Sequence, residues 1–389
     1  MNKIKNDIFL VVAVTILMAT GLIMVFSASA FIAQEKFGTI LYFSYKQILW
    51  GFLCFLAIFG FSRINYTNFS KNNIPHINII ISFVLLIGLF FLGEKVNGAQ
   101  RWYRISFASF QPSELAKIAT IIYFAYIFSE KSEKLRDWKK GLLPHVISFL
   151  LIFIPIMLQP DLSSALMIAI IIGVMALLSN IRFKHMLAGF LFIIPGIYLK
   201  MQSSDYQVLR LKQWWENLFN PLGSGHQIKQ SLIGLGRGGF IGEGPGSSVQ
   251  KFYFLPDSHT DFVFAILGEE IGLIGTTAVL LLFMLILWRG IAIAKNAPNP
   301  FGQFLAVGLT MNLVLYAVIN AGVVTMLLPA TGLPMPFLSY GGTSLLFVGV
   351  AVGILMNISR NSKKKSLSDR VNQYQQNRNE LSQTLIMSR

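Results

Sequence analysis

The chain contains a single cysteine, Cys54, set in an apolar run, so an intrachain disulfide is excluded. Charge is scarce as well. Asp, Glu, Lys and Arg make up 13% of the 389 residues, against about 25% in a soluble globular domain. Acidic residues are the rarer sign, 17 against 32 basic, which leaves a net charge of +15. That excess first suggests nucleic acid, but the basic residues sit mainly in loops between apolar runs, which is the signature of membrane topology. No cleavage site follows the first apolar segment, so it reads as a retained span and not a signal peptide. No Gly-Lys-[Ser/Thr] step completes a phosphate-binding Walker loop. No internal repeat is strong enough to halve the chain, which weighs against an inverted-repeat transporter.

What is abundant is hydrocarbon. Hydrophobic residues make up 54% of the chain, Phe alone occurs 33 times, and the mean hydropathy is +0.61. A spanning helix needs about 20 mainly apolar residues. Candidates fall at 8–29, 47–62, 77–93, 113–129, 142–158, 162–179, 185–201, 262–288, 302–324 and 337–357. The fold class is therefore an all-α polytopic membrane protein of about ten transmembrane helices. "SEKSEKLRDWKKG", "SNIRFKH" and the "KKK" tail lie on one side, and the uncharged loop 325–336 lies on the other. The positive-inside rule then puts both termini in the cytoplasm. Residues 1–360 read as one transmembrane domain and 361–389 as a polar, basic cytoplasmic tail without order, placed to touch anionic lipid.

One outer loop, about 202–260, is far longer than the rest, and long loops are usually functional. Its first part, "QVLRLKQWWENLF", spaces Val208, Leu211, Trp215 and Leu218 by three and four. That predicts an amphipathic helix lying along the outer interface with its Trp pair. Nine glycines follow between Gly223 and Gly246, predicting a flexible surface that allows close approach.

Ionisable residues inside spans are functional candidates, because each costs a few kcal/mol in the bilayer. Here they are Glu114, Lys117, Asp161, Asp261, Glu269 and Glu270. Glu114 and Lys117, spaced i,i+3, share a helix face and can pair, so a purely structural ion pair is the competing reading. Asp161 follows Pro160 at a helix start, where the plainer role is an N-cap. Glu269 and Glu270 lie about 12–14 Å down their helix and read as structural, bonding neighbouring helices or holding a bend at Gly268 and Gly272. Asp261 differs. It follows His259 and Thr260 at the mouth of a helix, where partial burial raises a carboxylate's pKa and makes it a better base; an N-cap is its alternative. Arg101, Arg104 and Arg210 lie on the same face, and with Lys117 they could hold a pyrophosphate, although each Arg taken singly reads as headgroup contact. A base, several cations and a hydrophobic groove together suit a lipid-linked phosphate.

Five blocks carry a family resemblance: "NGAQRWYRISFASFQPSELAK", "QPDLSSAL", "GSGHQIKQSLIGLGRGG", "KFYFLPDSHTDFVFAILGEEIGLIG" and "GVVTMLLPATGLPMPFLSYGGTSLL". In this order they resemble the SEDS proteins (shape, elongation, division and sporulation) over all but the polar tail. "SSVQKFYFLPDSHTDF" and Gly268 look more like the division branch, FtsW, than the elongation branch, RodA. His226, Arg237 and Asp257 depart from the residues usual in the family, which are Tyr, Ser and Glu.

The resemblance implies a peptidoglycan glycosyltransferase in the bacterial cytoplasmic (inner) membrane. It would polymerise lipid II, the undecaprenyl-pyrophosphate-linked disaccharide-pentapeptide, at the outer face, for septal wall synthesis at the division site. The family's essential Asp falls on Asp261, which would deprotonate the acceptor sugar's 4-hydroxyl. Lys117, Arg101 and Arg210 would stabilise the departing pyrophosphate, with Glu114 orienting Lys117. His259, Thr260, Gln111, Pro112, Ser113, Ser339, Gly341 and Gly342 belong to the supporting motifs. A divalent cation, magnesium or manganese, could share the charge stabilisation, although no metal-ligand cluster is legible. Implied partners are a cognate class B penicillin-binding protein and other division proteins, and no nucleic acid. The alternatives are a lipid II flippase, a RodA-type elongation polymerase and a non-catalytic scaffold. A flippase needs a polar path across the whole bilayer with charges near both ends, and the inner halves of the spans carry almost none.

Overall fold

The computed structural model describes residues 7–96, 99–105, 108–130, 142–186, 205–219, 226–252 and 254–362, with single positions at 135, 137, 138, 189 and 191. The expected span at 185–201 and the tail beyond 362 lie outside them almost entirely.

Nine of the expected spans form as helices, some with shifted limits: the first runs to Phe37 and not 29, the eighth to Lys295 and not 288, and the last starts at Gly342 and not 337. They are α1 (Ile8–Phe37), α2 (Tyr42–Arg63), α3 (Ile74–Leu92), α4 (Pro112–Glu130), α5 (Leu143–Leu158) and α6 (Leu162–Leu177), then, after the long loop, α9 (Val263–Lys295), α10 (Pro300–Val324) and α11 (Gly342–Ser362). The long loop contributes α7 (Asp205–Phe219) and α8 (His226–Gly238). Six of these helices, α1, α2, α3, α9, α10 and α11, are long and apolar enough to cross a membrane, and the chain is a multi-pass membrane protein. Phe52, Phe55, Leu56 and Phe59 stand exposed along α2, a pattern that suits a helix facing lipid.

α4 is the least apolar of the central helices and is buried almost all round, from Pro112 to Phe128. Its polar residues are therefore protein-facing, which is how a membrane protein accommodates them. α4 packs against α3, α10 and α6. At one end of the bundle Arg289 of α9 grips Asp7 at 2.5 Å, Tyr66 bonds Asn299 and Asn357, and Ser362 bonds the Asn296 carbonyl. Residues 7 and 362 thus lie at the same end, and Asp261 lies at the other.

The sequence reading did not anticipate the small antiparallel sheet between α3 and α4. Its strands are β1 (Glu94–Val96), β2 (Ala99–Ile105) and β3 (Ala108–Phe110), in the order β1-β2-β3. Tyr103 pairs Phe110 and Arg104 pairs Ser109. "AQRWYRI" is rich in aromatic and β-branched residues, which suit a pleated surface. The Tyr103 hydroxyl fastens the sheet to α3 through the Leu85 carbonyl at 2.7 Å.

The glycine segment corrects the expectation of a flexible surface. α9 is broken at Gly272, whose φ of 71° and ψ of −164° leave the helix. Such a break inside a membrane frees backbone groups that must find partners. They find them in residues 239–244. Glu243 and Gly244 donate to the carbonyls of Glu269 and Glu270 at 3.0 and 3.1 Å, and Leu273 and Ile274 donate to those of Gly239 and Phe240 at 2.9 and 3.1 Å. Close approach was rightly read from the glycines. α8 and this segment pack into the broken span.

Glu269 and Glu270 have the structural roles expected of them, with unexpected partners. Glu269 accepts from the Ser248 hydroxyl, Val249 N and Gln250 N. Glu270 accepts from Ser27 of α1 at 2.5 Å and pairs with Lys251 at 3.3 Å. The bend they help to hold is at Gly272; Gly268 stays helical.

Candidate active site

Asp261 sits one residue before the N-cap of α9, in a turn organised by Asp257. Asp257 adopts the left-handed conformation, φ 54°, which Asp tolerates better than most residues. Its carbonyl then accepts from the amides of Thr260, Asp261 and Phe262 at 3.1, 3.1 and 3.3 Å. Asp261 is thus held by its backbone, and its carboxylate is not spent as the N-cap of α9, which has no side-chain cap bond.

The Asp261 carboxylate faces the loop between α10 and α11. A Cβ placed on Gly332 would meet its Oδ2 at 3.3 Å, so a backbone without a side chain forms the wall. Burial pushes the Asp261 carboxyl up to about 6, helped by the Asp257 charge and opposed by the Arg210 and Arg101 guanidiniums. Desolvation therefore dominates over two opposing cations, which is the arrangement of a base poised near neutral pH.

The cations are placed by separate elements. Arg210 of α7 donates to the Ala330 carbonyl at 3.2 Å, two residues from Gly332. One turn on, the Trp214 indole donates to the Met326 carbonyl at 3.1 Å, while Trp215 is exposed. The amphipathic helix therefore docks through one tryptophan, and the predicted pair divides between protein and surroundings. Arg101 of β2 reaches the α5–α6 turn, donating to the Pro160 carbonyl with Asp161 4.0 Å away. Its Nε is buried without a partner among the described residues, as is the Thr331 hydroxyl. Asp161 caps α6 by accepting from Ser164 N and also accepts from Gln111 Nε2, both at 3.3 Å. Arg104 lies apart in an exposed pair with Glu94 at 2.7 Å.

Lys117 and Glu114 do pair, at 2.7 Å. Tyr316 of α10 donates to the same Glu114 oxygen at 3.1 Å, and its ring lies 4.2 Å from the Lys117 ammonium. Glu114 and Tyr316 border a cavity of about 20 Å³, lined also by Asn312, Ser339 and Ser344. Tyr316 lies one helical turn, about 6 Å, from Asn320, which bonds the Asp261 carbonyl. Lys117 is buried and lies a layer deeper than Asp261, so the structure separates it from the two arginines.

The supporting motifs form a frame. Gln111 N donates to Thr343 Oγ1 at 3.3 Å, and Thr343 donates back to the Ser109 carbonyl at 3.2 Å. Pro112 begins α4 and Ser113 is buried beside it. Ser339 Oγ accepts from Met335 N at 2.9 Å, and Gly342 leaves room for Trp50. Tyr340 N donates to the His259 carbonyl at 2.9 Å. The His259 ring packs on Phe43 at 4.6 Å, and burial lowers its pKa, keeping it neutral. Thr260 Oγ1 bonds the Asp257 carbonyl at 3.2 Å. Among the described residues no three His, Cys, Asp or Glu gather as metal ligands.

Sequence reasoning missed Gly332, Ala330, Thr331, Ser163 and Asn320. Ser163 Oγ donates to the Thr331 carbonyl at 2.8 Å. Asn320 left a signal as an amide side chain inside an apolar span; the other four lie in the blocks "QPDLSSAL" and "GVVTMLLPATGLPMPFLSYGGTSLL" without standing out within them.

Comparison with known proteins sharpens this picture. The FtsW/RodA/SpoVE family model, described as "Cell cycle protein", matches residues 7–364. Stage V sporulation protein E of Bacillus subtilis (strain 168) is 39% identical over 364 residues, 93% of this chain and 99% of the relative. A protein named probable peptidoglycan glycosyltransferase FtsW, from Geobacter metallireducens, is 36% identical over 362 residues, 92% and 96% of the two chains. Among solved structures, a chain from a study of how a peptidoglycan synthase complex coordinates polymerization and crosslinking superposes with a TM-score of 0.74 at 24% identity. It covers 92% of this chain and 98% of that one. Rod shape determining protein RodA of Thermus thermophilus gives 0.68 at 23% identity, with 93% and 99% covered. At these identities the two structures speak for the fold.

Proposed function

The chain belongs to the FtsW/RodA/SpoVE family of cell cycle proteins, and on that premise we propose that it is a peptidoglycan glycosyltransferase that polymerises lipid II. The observation that carries the proposal is the placement of the Asp261 carboxylate at the loop–helix junction, against Gly332 and with Arg210 anchored two residues away on Ala330; burial there raises its pKa. A relative named probable peptidoglycan glycosyltransferase, with which almost the whole chain aligns, supports the same reading.

In the proposed reaction the Asp261 carboxylate accepts the proton of the acceptor sugar's 4-hydroxyl. The oxygen attacks the donor's anomeric carbon, and the bond from that carbon to the lipid pyrophosphate breaks. The electron pair leaves with the pyrophosphate, whose charge is stabilised by preorganised donors. Arg210 and Arg101 are those donors. Both already bond carbonyls beside the site, and the buried Arg101 Nε and Thr331 hydroxyl offer a phosphate two further partners. Lys117 acts from the deeper layer, oriented by Glu114, once the substrate opens the space between. Asp257 and Asp261 are the carboxylates a divalent cation would meet here, and no step above depends on one.

The working face is the outer one, with both termini cytoplasmic. Lipid II and a class B penicillin-binding protein are the proposed partners, together with other division proteins. The septum is the proposed site of action, by the division-branch motifs and by relatives that carry the name FtsW.

The test uses the full chain with its penicillin-binding partner and lipid II, reading glycan length on a gel. Wild type makes strands and Asp261→Asn does not. Strands of wild-type yield from Asp261→Asn would overturn the assignment. Movement of labelled lipid II across vesicle membranes, lost in Asp261→Asn while polymerisation persists, would favour a flippase.

A further inference from the structure

Asn320 is 2% exposed on α10, near the end of the helix that faces Asp261. Its amide nitrogen donates both hydrogens, one to the Asp261 carbonyl at 2.7 Å and one to the Leu333 carbonyl at 2.8 Å. The flipped amide would set an oxygen against two carbonyl oxygens, so chemistry fixes this orientation. Its own Oδ1 is buried and takes no bond among the described residues, so the residue is held here by its two donations.

Those two carbonyls belong to the two walls of the site. Asp261 presents the carboxylate. Leu333 follows Gly332, whose backbone that carboxylate meets, and Leu333 stands three residues after Ala330, which anchors Arg210. Resting on the assignment of Asp261 as the base, we propose that Asn320 is a positioning residue that fixes the Asp261 backbone against the 330–333 loop and so sets the base's distance from Arg210. Near-attack geometry is sensitive to such spacing, since a misplacement of about 1 Å can cost about 100-fold in rate. An apolar residue in its place leaves one buried and one partly buried carbonyl without this partner and lets the two walls drift apart.

Asn320 bonds the Asp261 and Leu333 backbone and not the Asp261 carboxylate, so its effect should fall on kcat and the pH profile. The full chain is assayed with lipid II, and monodispersity is checked by size exclusion. Asn320→Ala is expected to lower kcat about 10- to 100-fold while KM for lipid II stays within about threefold. The acid limb should move to lower pH by at least about half a unit as the carboxylate escapes its enclosure. Asn320→Ser keeps one donor and should recover part of the lost kcat; it carries the same readouts where the alanine variant does not fold. Turnover by Asn320→Ala within about threefold of wild type overturns the inference, as does a loss carried wholly by KM or an acid limb that stays in place. Asp261→Asn is run alongside. If it is active, the assignment of the base itself fails. If it is inactive while Asn320→Ala turns over normally, only the positioning role fails.

Discussion

Gly332 stands against the Asp261 carboxylate so closely that a methyl group on its α-carbon would lie 3.3 Å from Oδ2. Its φ of 68° is also one that an alanine adopts at a cost of about 1–2 kcal/mol. Gly332→Ala should therefore displace the carboxylate and lower turnover about tenfold, a size consistent with a sub-ångström misplacement. A full rate of strand synthesis in that variant would mean the loop does not wall the base.

The raised Asp261 carboxyl predicts an acid limb in the rate. The base works only when ionised, so kcat/KM should fall as pH drops through about 6. A plateau that continues to pH 5 would contradict this.

The same shift has a consequence for stability, with a definite sign. Because the folded pKa lies above the ordinary value of 3.8, ionising Asp261 favours the unfolded chain at neutral pH. Asp261→Asn should therefore melt later than wild type at pH 7.5, by an amount worth roughly 1–3 kcal/mol. The gain should fade as pH falls through 6 and vanish only below 3.8, where wild type is protonated in both states. Thermal melts across that range measure it.

Arg210 and Asp257 act on Asp261 with opposite signs. Arg210→Gln removes a stabilising cation and should move the acid limb to higher pH, whereas Asp257→Asn removes a repelling charge and should move it lower. The two limbs should draw together as salt screens both charges. A shift in the same direction for both variants would mean that geometry, and not charge, controls the base.

Lys117 and Glu114 form a buried pair at 2.7 Å, and removing one partner leaves an uncompensated charge that costs about 3–5 kcal/mol. Glu114→Gln or Lys117→Met alone should depress the melting temperature sharply, and the double variant should recover most of it. Glycan synthesis by a stable double variant then decides whether Lys117 has a chemical role beyond the pair.

Much of the architecture was legible because hydrocarbon solvation is a strong constraint. Runs such as Ile8–Phe37 and Pro300–Val324 can satisfy their backbone in a bilayer only as helices; the second kept its predicted limits within two residues, while the first runs eight residues past its predicted end. Asp261 stood out for the complementary reason, as a carboxylate at the mouth of an apolar helix. The β-sheet at 94–110 was missed because its strands are short and two are only three residues long. The glycine run gave no hint that its amides would complete a helix broken at Gly272, since that pairing joins segments some thirty residues apart.

The sequence by itself determined a polytopic helical protein, the i,i+3 pairing of Glu114 with Lys117, and the residue around which the chemistry is proposed. Those properties follow from local spacing and from the cost of charge in hydrocarbon. Only the tertiary structure decided that Gly332 and Asn320 enclose Asp261, that Arg210 docks on the Ala330 carbonyl, and that Lys117 lies a layer below. Each of these depends on contacts between distant segments, and the burial that sets the Asp261 carboxyl near 6 exists only once those segments close around it.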